Sequence, residues 1–211
     1  MSSGTRDDWR PLRPPGSPDA ARVLEEWLAG GRSTPVIADD LDFRGADLSG
    51  GPFGGSSFRR ANLADAVARG VELWRSSCEG ARFIRAVLTD ADFVKAHLHH
   101  ASFVRAVLIG ADLTRAEGLD VRFVQADLRR ADLTDATLVA CDFTGADLSG
   151  ARVDKTSLRD SHLVDATVAG LTGTVFGPVV VAAGRALDGA DLERWFAAHG
   201  AGVSVLSPAY T

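Results

Sequence analysis

One feature constrains this chain before any other: a five-residue period that never slips. Stepping by five from Phe43 gives Phe43, Leu48, Phe53, Phe58, Leu63, and so on to Leu158, Leu163 and Val168. Across these 26 positions all are Leu or Phe except Ala68, Cys78, Gly118, Val153 and Val168. Two residues before each centre runs a second series, mostly alanine, as at Ala46, Ala61, Ala81, Ala111, Ala131 and Ala151. The other three positions of each five are mainly polar or glycine.

Neither common element explains this spacing, because a helix repeats its apolar face near 3.6 residues and a strand at two. A period of five with one large and one small apolar residue fits a square coil instead. Each pentapeptide forms one side, and four sides make a coil of about 20 residues. Coils stacked at about 4.8 Å would place the array in about 6.5 coils and a rod about 31 Å long.

The segments Ala46-Asp47-Leu48-Ser49-Gly50, Ala111-Asp112-Leu113-Thr114-Arg115, Ala131-Asp132-Leu133-Thr134-Asp135 and Ala146-Asp147-Leu148-Ser149-Gly150 resemble the A-(D/N)-L-x-x consensus of the pentapeptide repeat family. The resemblance covers residues 41–172 and implies an all-β fold, a right-handed quadrilateral parallel β-helix. Several relatives in that family bind DNA gyrase or topoisomerase IV, imitating the rod shape and negative charge of duplex DNA, and so protect the enzyme from antibiotics; the resemblance implies the same kind of partner here.

An open stack exposes its last core layer and its strand edges, so short helical caps are expected at both ends. Residues 1–16 read as a disordered segment. Residues 17–40 read as a capping helix and lead-in, with Ser17 as N-cap, Pro18 at the first helical position and Val23, Leu24, Trp27 and Leu28 as the apolar face. Residues 173–211 read as a C-terminal cap. Val175–Ala182 forms a strand, Asp188 starts a helix ending near His199, and Val203–Leu206 forms a final strand. Leu192, Trp195 and Phe196 are that helix's apolar face. They either seal the monomer or, as in gyrase-protecting relatives, form a homodimer contact.

Residues twenty apart should stack, which lets the surface be read in columns. Ile84, Val87, Val104, Val107, Ile109 and Val124 form a contiguous aliphatic strip flanked by Arg82, Arg85, Arg105 and Arg122, with no acid among the four. The strip is either a protein-contact surface or ordinary β-propensity on a strand-like face. Glu72, Asp92, Asp112 and Asp132 form an acidic column beside a basic one of Arg75, Lys95 and Arg115. This column reads first as structural and second as a phosphate-like array.

No nucleophile motif, phosphate-binding loop or metal-ligand spacing appears, so no catalytic residue, cofactor or metal is expected. His97, His99 and His100 all fall at outward positions with no acidic or cysteine ligand beside them in sequence, which favours a solvated surface. Cys78 occupies a large slot and Cys141 a small one, and both should be buried and inert.

No run of 18 apolar residues exists, so no membrane span is expected. The polar, proline-rich N-terminus lacks the apolar core of a secretory signal, and a cytoplasmic location is expected. The net charge of −5 and the absence of a DNA-binding motif argue against direct nucleic-acid binding. Within residues 41–172, 18 acids face 16 bases, a weak charge for a DNA mimic. The expectation is a non-catalytic protein-binding rod. DNA gyrase is the leading specific partner, and a general scaffold with another protein partner is the alternative.

Overall fold

The computed structural model describes residues 9–206. It is a stack of coils, a β-helix, in which each bridge position pairs in parallel with the residue twenty further on. Examples are Asp42 with Asn62, Val67 with Val87, Asp92 with Asp112 and His97 with Glu117. Helix α1 (Pro18–Ala29) precedes the stack. Most coil sides make single bridges. Later ones lengthen into short strands: β1 (Glu117–Leu119), β2 (Thr137–Val139), β3 (Thr156–Ser157) and β4 (Ser161–His162).

All 26 centres from Phe43 to Val168 are buried, and so are nearly all of the small residues two places before them. The hydrogen bonds explain why five residues make a unit. The amides of nearly all centres and of the corners two residues later donate to the next coil, as Leu113 does to Asp132 and Arg115 to Thr134, whereas the Phe53 amide donates to Gly51 within its own coil. The amide before the centre donates back to the previous coil, as Asp112 does to Ala91. The small residue's amide closes the turn, as Ala116 does to Leu113. That leaves one amide in five, the one after the centre. The aspartate before the centre accepts it: Asp112 from Thr114 at 2.8 Å, Asp92 from Val94 at 2.9 Å and Asp142 from Thr144 at 3.0 Å. The aspartate of the consensus therefore satisfies the one amide the coil ladder leaves unpaired.

Every corner takes a left-handed φ. Glycine fills some, such as Gly45 and Gly150, but Arg85, Lys95, Arg115 and Ala140 adopt the same conformation at φ of 57°, 57°, 58° and 53°. In the small slot, Ser76, Thr156 and Ser161 bury a hydroxyl by donating it to a carbonyl: Phe53 at 2.9 Å, Leu133 at 2.7 Å and Leu138 at 3.0 Å.

The register drifts where the stack ends. Strand β5 (Thr172–Phe176) pairs Val175 with Thr156, a step of nineteen rather than twenty. Strand β6 (Val179–Ala182) pairs Val179 with Ser161, a step of eighteen, and folds antiparallel onto β7 (Arg185–Leu187). The single strand read over Val175–Ala182 is thus two, separated at Gly177-Pro178, because proline has no amide for the ladder. Helix α2 (Gly189–Ala198) follows, with the Asp188 carboxylate accepting from the Gly189 amide at 2.8 Å. Strand β8 (Gly202–Leu206) then lies parallel on β5.

Both ends are covered. Leu24 of α1 is buried, with Val23 and Trp27 packed against the core. Part of the segment read as disordered joins them. Trp9 packs edge-on to Phe53 at 5.2 Å and donates to the Ser49 carbonyl at 2.8 Å, and Arg13 bridges Asp47 in antiparallel fashion. Residues 9–16 therefore cover the first coil, with the indole ring supplying the apolar contact. The rest of that expectation, over residues 1–8, lies outside the described residues, as do residues 207–211 of the C-terminal cap. Leu192 and Phe196 of α2 seal the other end with no exposed surface.

Candidate functional site

The stacking register assembles each surface feature from residues twenty apart. Val87 bridges Val107 directly, and Ile84, Val104 and Val124 occupy one column beside them. All six strip residues are half-buried rather than fully exposed. Their arginine border is less basic than the sequence implied. Asp65, one coil before Arg85, pairs with it at 2.6 Å. The guanidinium holds the Asp65 carboxyl below the usual carboxylate range, chiefly through its hydrogen bond. Arg105 donates to Gln125 at 2.8 Å. The four arginines are thus not a patch free of acid, because stacking brings in Asp65 from outside the counted set.

Charge pairing between coils is general. Arg60 meets Asp40 at 2.5 Å, Arg59 meets Glu79 at 3.3 Å and Arg115 meets Asp135 at 3.4 Å. Each couples residues twenty apart, so column order balances charge locally. The coils bridge Glu72, Asp92, Asp112 and Asp132 in succession. Three of these also bind the amides of Val94, Thr114 and Thr134.

At the C-terminal end, Leu192 and Phe196 are consumed by the chain's own core. Trp195 remains half-buried, its ring 4.3 Å from that of His199. The β8 edge is the last in its sheet, and the Glu193 carboxylate accepts from the Val205 amide at 2.8 Å.

The histidine reading changes in one respect. Sequence neighbours offered no acid, but the next coil places Glu117 opposite His97, with Nδ1 and Oε2 3.5 Å apart. His100 lies 3.7 Å from Asp120 in the same way. The signal that finds these partners is the step of twenty rather than proximity along the chain. Cys78 and Cys141 are both buried free thiols, and burial raises their pKa, that of Cys141 to about 12. Surface depressions lie at the caps, one lined by Pro11, Pro14, Leu24 and Leu28 and another by Arg185, Leu187 and Trp195. No helix among the described residues is long and apolar enough to cross a membrane.

Comparison with solved structures finds the same architecture. HetL, a pentapeptide repeat protein involved in heterocyst differentiation regulation from the cyanobacterium Nostoc sp. strain PCC 7120, superposes with a TM-score of 0.59 at 21% identity, over 90% of this chain and 97% of its own. Full-length QnrB1, a plasmid-mediated fluoroquinolone resistance protein, superposes with a TM-score of 0.61 at 14% identity, over 81% of this chain and 94% of its own. At these identities the likeness shows the fold. No curated protein matches the sequence. Family profiles described as pentapeptide repeats (8 copies) and pentapeptide repeat region match residues 42–73 and 76–152. With those two matches spanning just over half its length and the structure repeating at the same period, the chain belongs to the pentapeptide repeat family.

Proposed function

We propose that this chain is a non-catalytic binding protein whose rod docks on a protein partner, and that a type II topoisomerase, DNA gyrase, is the leading specific partner. The observation that carries the reading is the unbroken array. Its interior rows are buried and its side chains reach the surface in fixed columns, which suits recognition by an extended face more than chemistry in a cleft. Fold likeness to a fluoroquinolone resistance protein supports the topoisomerase, and so does the continuous column Glu72–Asp92–Asp112–Asp132. In this reading the coil is right-handed, as parallel crossovers are, and four-sided, with four centres per turn.

A second reading draws on the coil-to-coil ion pairs. Arg60–Asp40, Arg85–Asp65 and Arg115–Asp135 leave little extended negative field, which favours a general scaffold using the strip from Ile84 to Val124. Fold likeness to a protein involved in heterocyst differentiation regulation is compatible with that role. In both readings residues 41–172 are the binding rod and the location is cytoplasmic. Any homodimer through the C-terminal end would use Trp195 and the β8 edge, since Leu192 and Phe196 are enclosed.

The deciding experiment is a gyrase supercoiling assay with purified full chain, with and without a fluoroquinolone. Inhibition of supercoiling, or rescue from drug-induced cleavage, supports the topoisomerase. No effect at tens of micromolar removes it and leaves the scaffold, whose partner would be lost with Val104→Asp.

A further inference from the structure

We propose that His97, His99 and Glu117 form a binding site for a divalent transition-metal ion of the zinc type, clamping two successive coils together. One ligand atom from each of the three lies within 4.8 Å of the other two. His97 and His99 flank the buried centre Leu98, and residues two apart on an extended segment point to the same side. Glu117 arrives from the next coil as the bridge partner of His97. With metal–ligand bonds near 2.1 Å, a tetrahedral ion holds its ligands about 3.4 Å apart. The 3.5 Å between His97 Nδ1 and Glu117 Oε2 already meets that spacing. The His99 ligand atom lies within 4.8 Å of the other two, so a modest side-chain rotation brings it to that spacing.

The surroundings suit a cation. The positions stacked directly on these side chains are Ser77, Glu79, Leu119 and Thr137, none of them basic, with Glu79 itself paired to Arg59 at 3.3 Å. The pair His100–Asp120 lies alongside at 3.7 Å. Two imidazoles and one carboxylate match the donor preference of zinc and leave a fourth position for solvent. The site also replaces a structural device. Where other repeats use an aspartate to hold the amide after the centre, Glu117 stands instead, and the Leu119 amide donates to His99 Nδ1 at 3.1 Å. Coordination through His99 exchanges that hydrogen bond for a metal–nitrogen bond.

The test uses the full chain without an affinity tag, titrated calorimetrically with zinc chloride alone, and a thermal melt with and without zinc. One zinc per chain is expected, with a Kd on the order of micromolar and a melting temperature that rises with zinc concentration. His97→Ser and Glu117→Thr copy residues that the same column already holds at Ser77 and Thr137, so the coil is preserved. Each should weaken binding by at least about tenfold and remove the thermal shift. His162→Gln and His199→Gln should change neither. Absence of binding at about 100 µM zinc overturns the site. So does full-strength binding by the His97→Ser/Glu117→Thr double variant.

Discussion

Phe103 lies at the middle of an internal column of rings, and its replacement measures how much the fold depends on ring geometry as opposed to filled volume. The side chain has no exposed surface. It stacks on Phe83 at 4.8 Å and on Phe123 at 5.1 Å, with interplanar angles of 4° and 10°, and meets Phe93 edge-on at 5.6 Å. Leucine occupies the same face in other coils, at Leu63 and Leu163, and is buried in each. Phe103→Leu therefore keeps an apolar side chain that the slot accepts and removes three ring pairs, each worth about 0.5–1.5 kcal/mol beyond burial. A loss of about 2 kcal/mol is expected. Phe103→Ala also opens a cavity and should cost about 5 kcal/mol, the upper end for such changes. Urea unfolding followed by circular dichroism reads both as shifts of the midpoint. Because each coil touches only its neighbours, the alanine variant should also broaden the transition. Equal losses for leucine and alanine, or a loss below about 1 kcal/mol for alanine, would refute the view that the slot is interchangeable and the ring column adds to it.

Three further outcomes follow from the coil geometry. Ala140 sits at a corner with φ of 53°, where a Cβ costs about 1–2 kcal/mol and glycine's extra entropy about 0.5–1 kcal/mol. Ala140→Gly should therefore raise the thermal midpoint by a gain of about 0.5–1 kcal/mol, and a lower midpoint would count against corner strain. The buried thiols of Cys78 and Cys141, with pKa values raised by desolvation, should resist Ellman's reagent at pH near 8 until the chain is unfolded, when both react; prompt labelling of the native protein would contradict their burial. Asp42, Asp65 and Asp127 have pKa values lowered by hydrogen bonds from Arg44, Arg85 and Arg129. Since the folded values lie below the unfolded ones, this stabilisation is complete above the usual carboxylate range and disappears as pH falls through the lowered values. The urea midpoint should decline as pH falls below the ordinary carboxylate range of about 4, and Arg85→Met should return the NMR-titrated Asp65 carboxyl toward that range.

The buried half of the molecule was legible because burial imposes one constraint at every fifth position. Phe43, Leu113 and Phe143 announce the same slot, and the small residues two places earlier confirm the phase. The outer half was legible only in part, because surface partners are set by the neighbouring coils rather than by the chain's own neighbourhood. Asp65 neutralises Arg85 and Glu117 faces His97 at a distance of twenty residues, so a reading by adjacency passes over both. The ends were hardest. There the register falls from twenty to nineteen and eighteen, and β7 turns antiparallel, so no period predicts the pairing. Trp9 shows the same limit. Nothing in a proline-rich stretch marks it as packing against Phe53, beyond its being a large aromatic placed ahead of an exposed core layer.

The acidic column poses a question that ordinary alanine scanning would confuse, because its aspartates hold the backbone as well as carrying charge. Asp92, Asp112 and Asp132 accept from the amides of Val94, Thr114 and Thr134 at 2.9, 2.8 and 2.9 Å. Alanine removes both the charge and the acceptor, and losing a hydrogen bond to a charged group costs about 1.5–3 kcal/mol. A triple alanine variant could lose any activity simply by loosening three turns. Asparagine keeps an acceptor oxygen in the same place and removes only the charge. If the column imitates phosphates, the Asp92→Asn/Asp112→Asn/Asp132→Asn protein should keep its circular dichroism spectrum and lose inhibition of gyrase supercoiling. Single Asp112→Asn should already weaken it, more at low salt than at high, since salt screens a charge that is only half-buried. If the column serves only to close turns, the triple asparagine variant should inhibit as well as the parent, and Val104→Asp on the aliphatic strip should be the substitution that abolishes binding. A triple variant that is folded and fully inhibitory would end the phosphate-mimic reading of this column, whatever the partner proves to be.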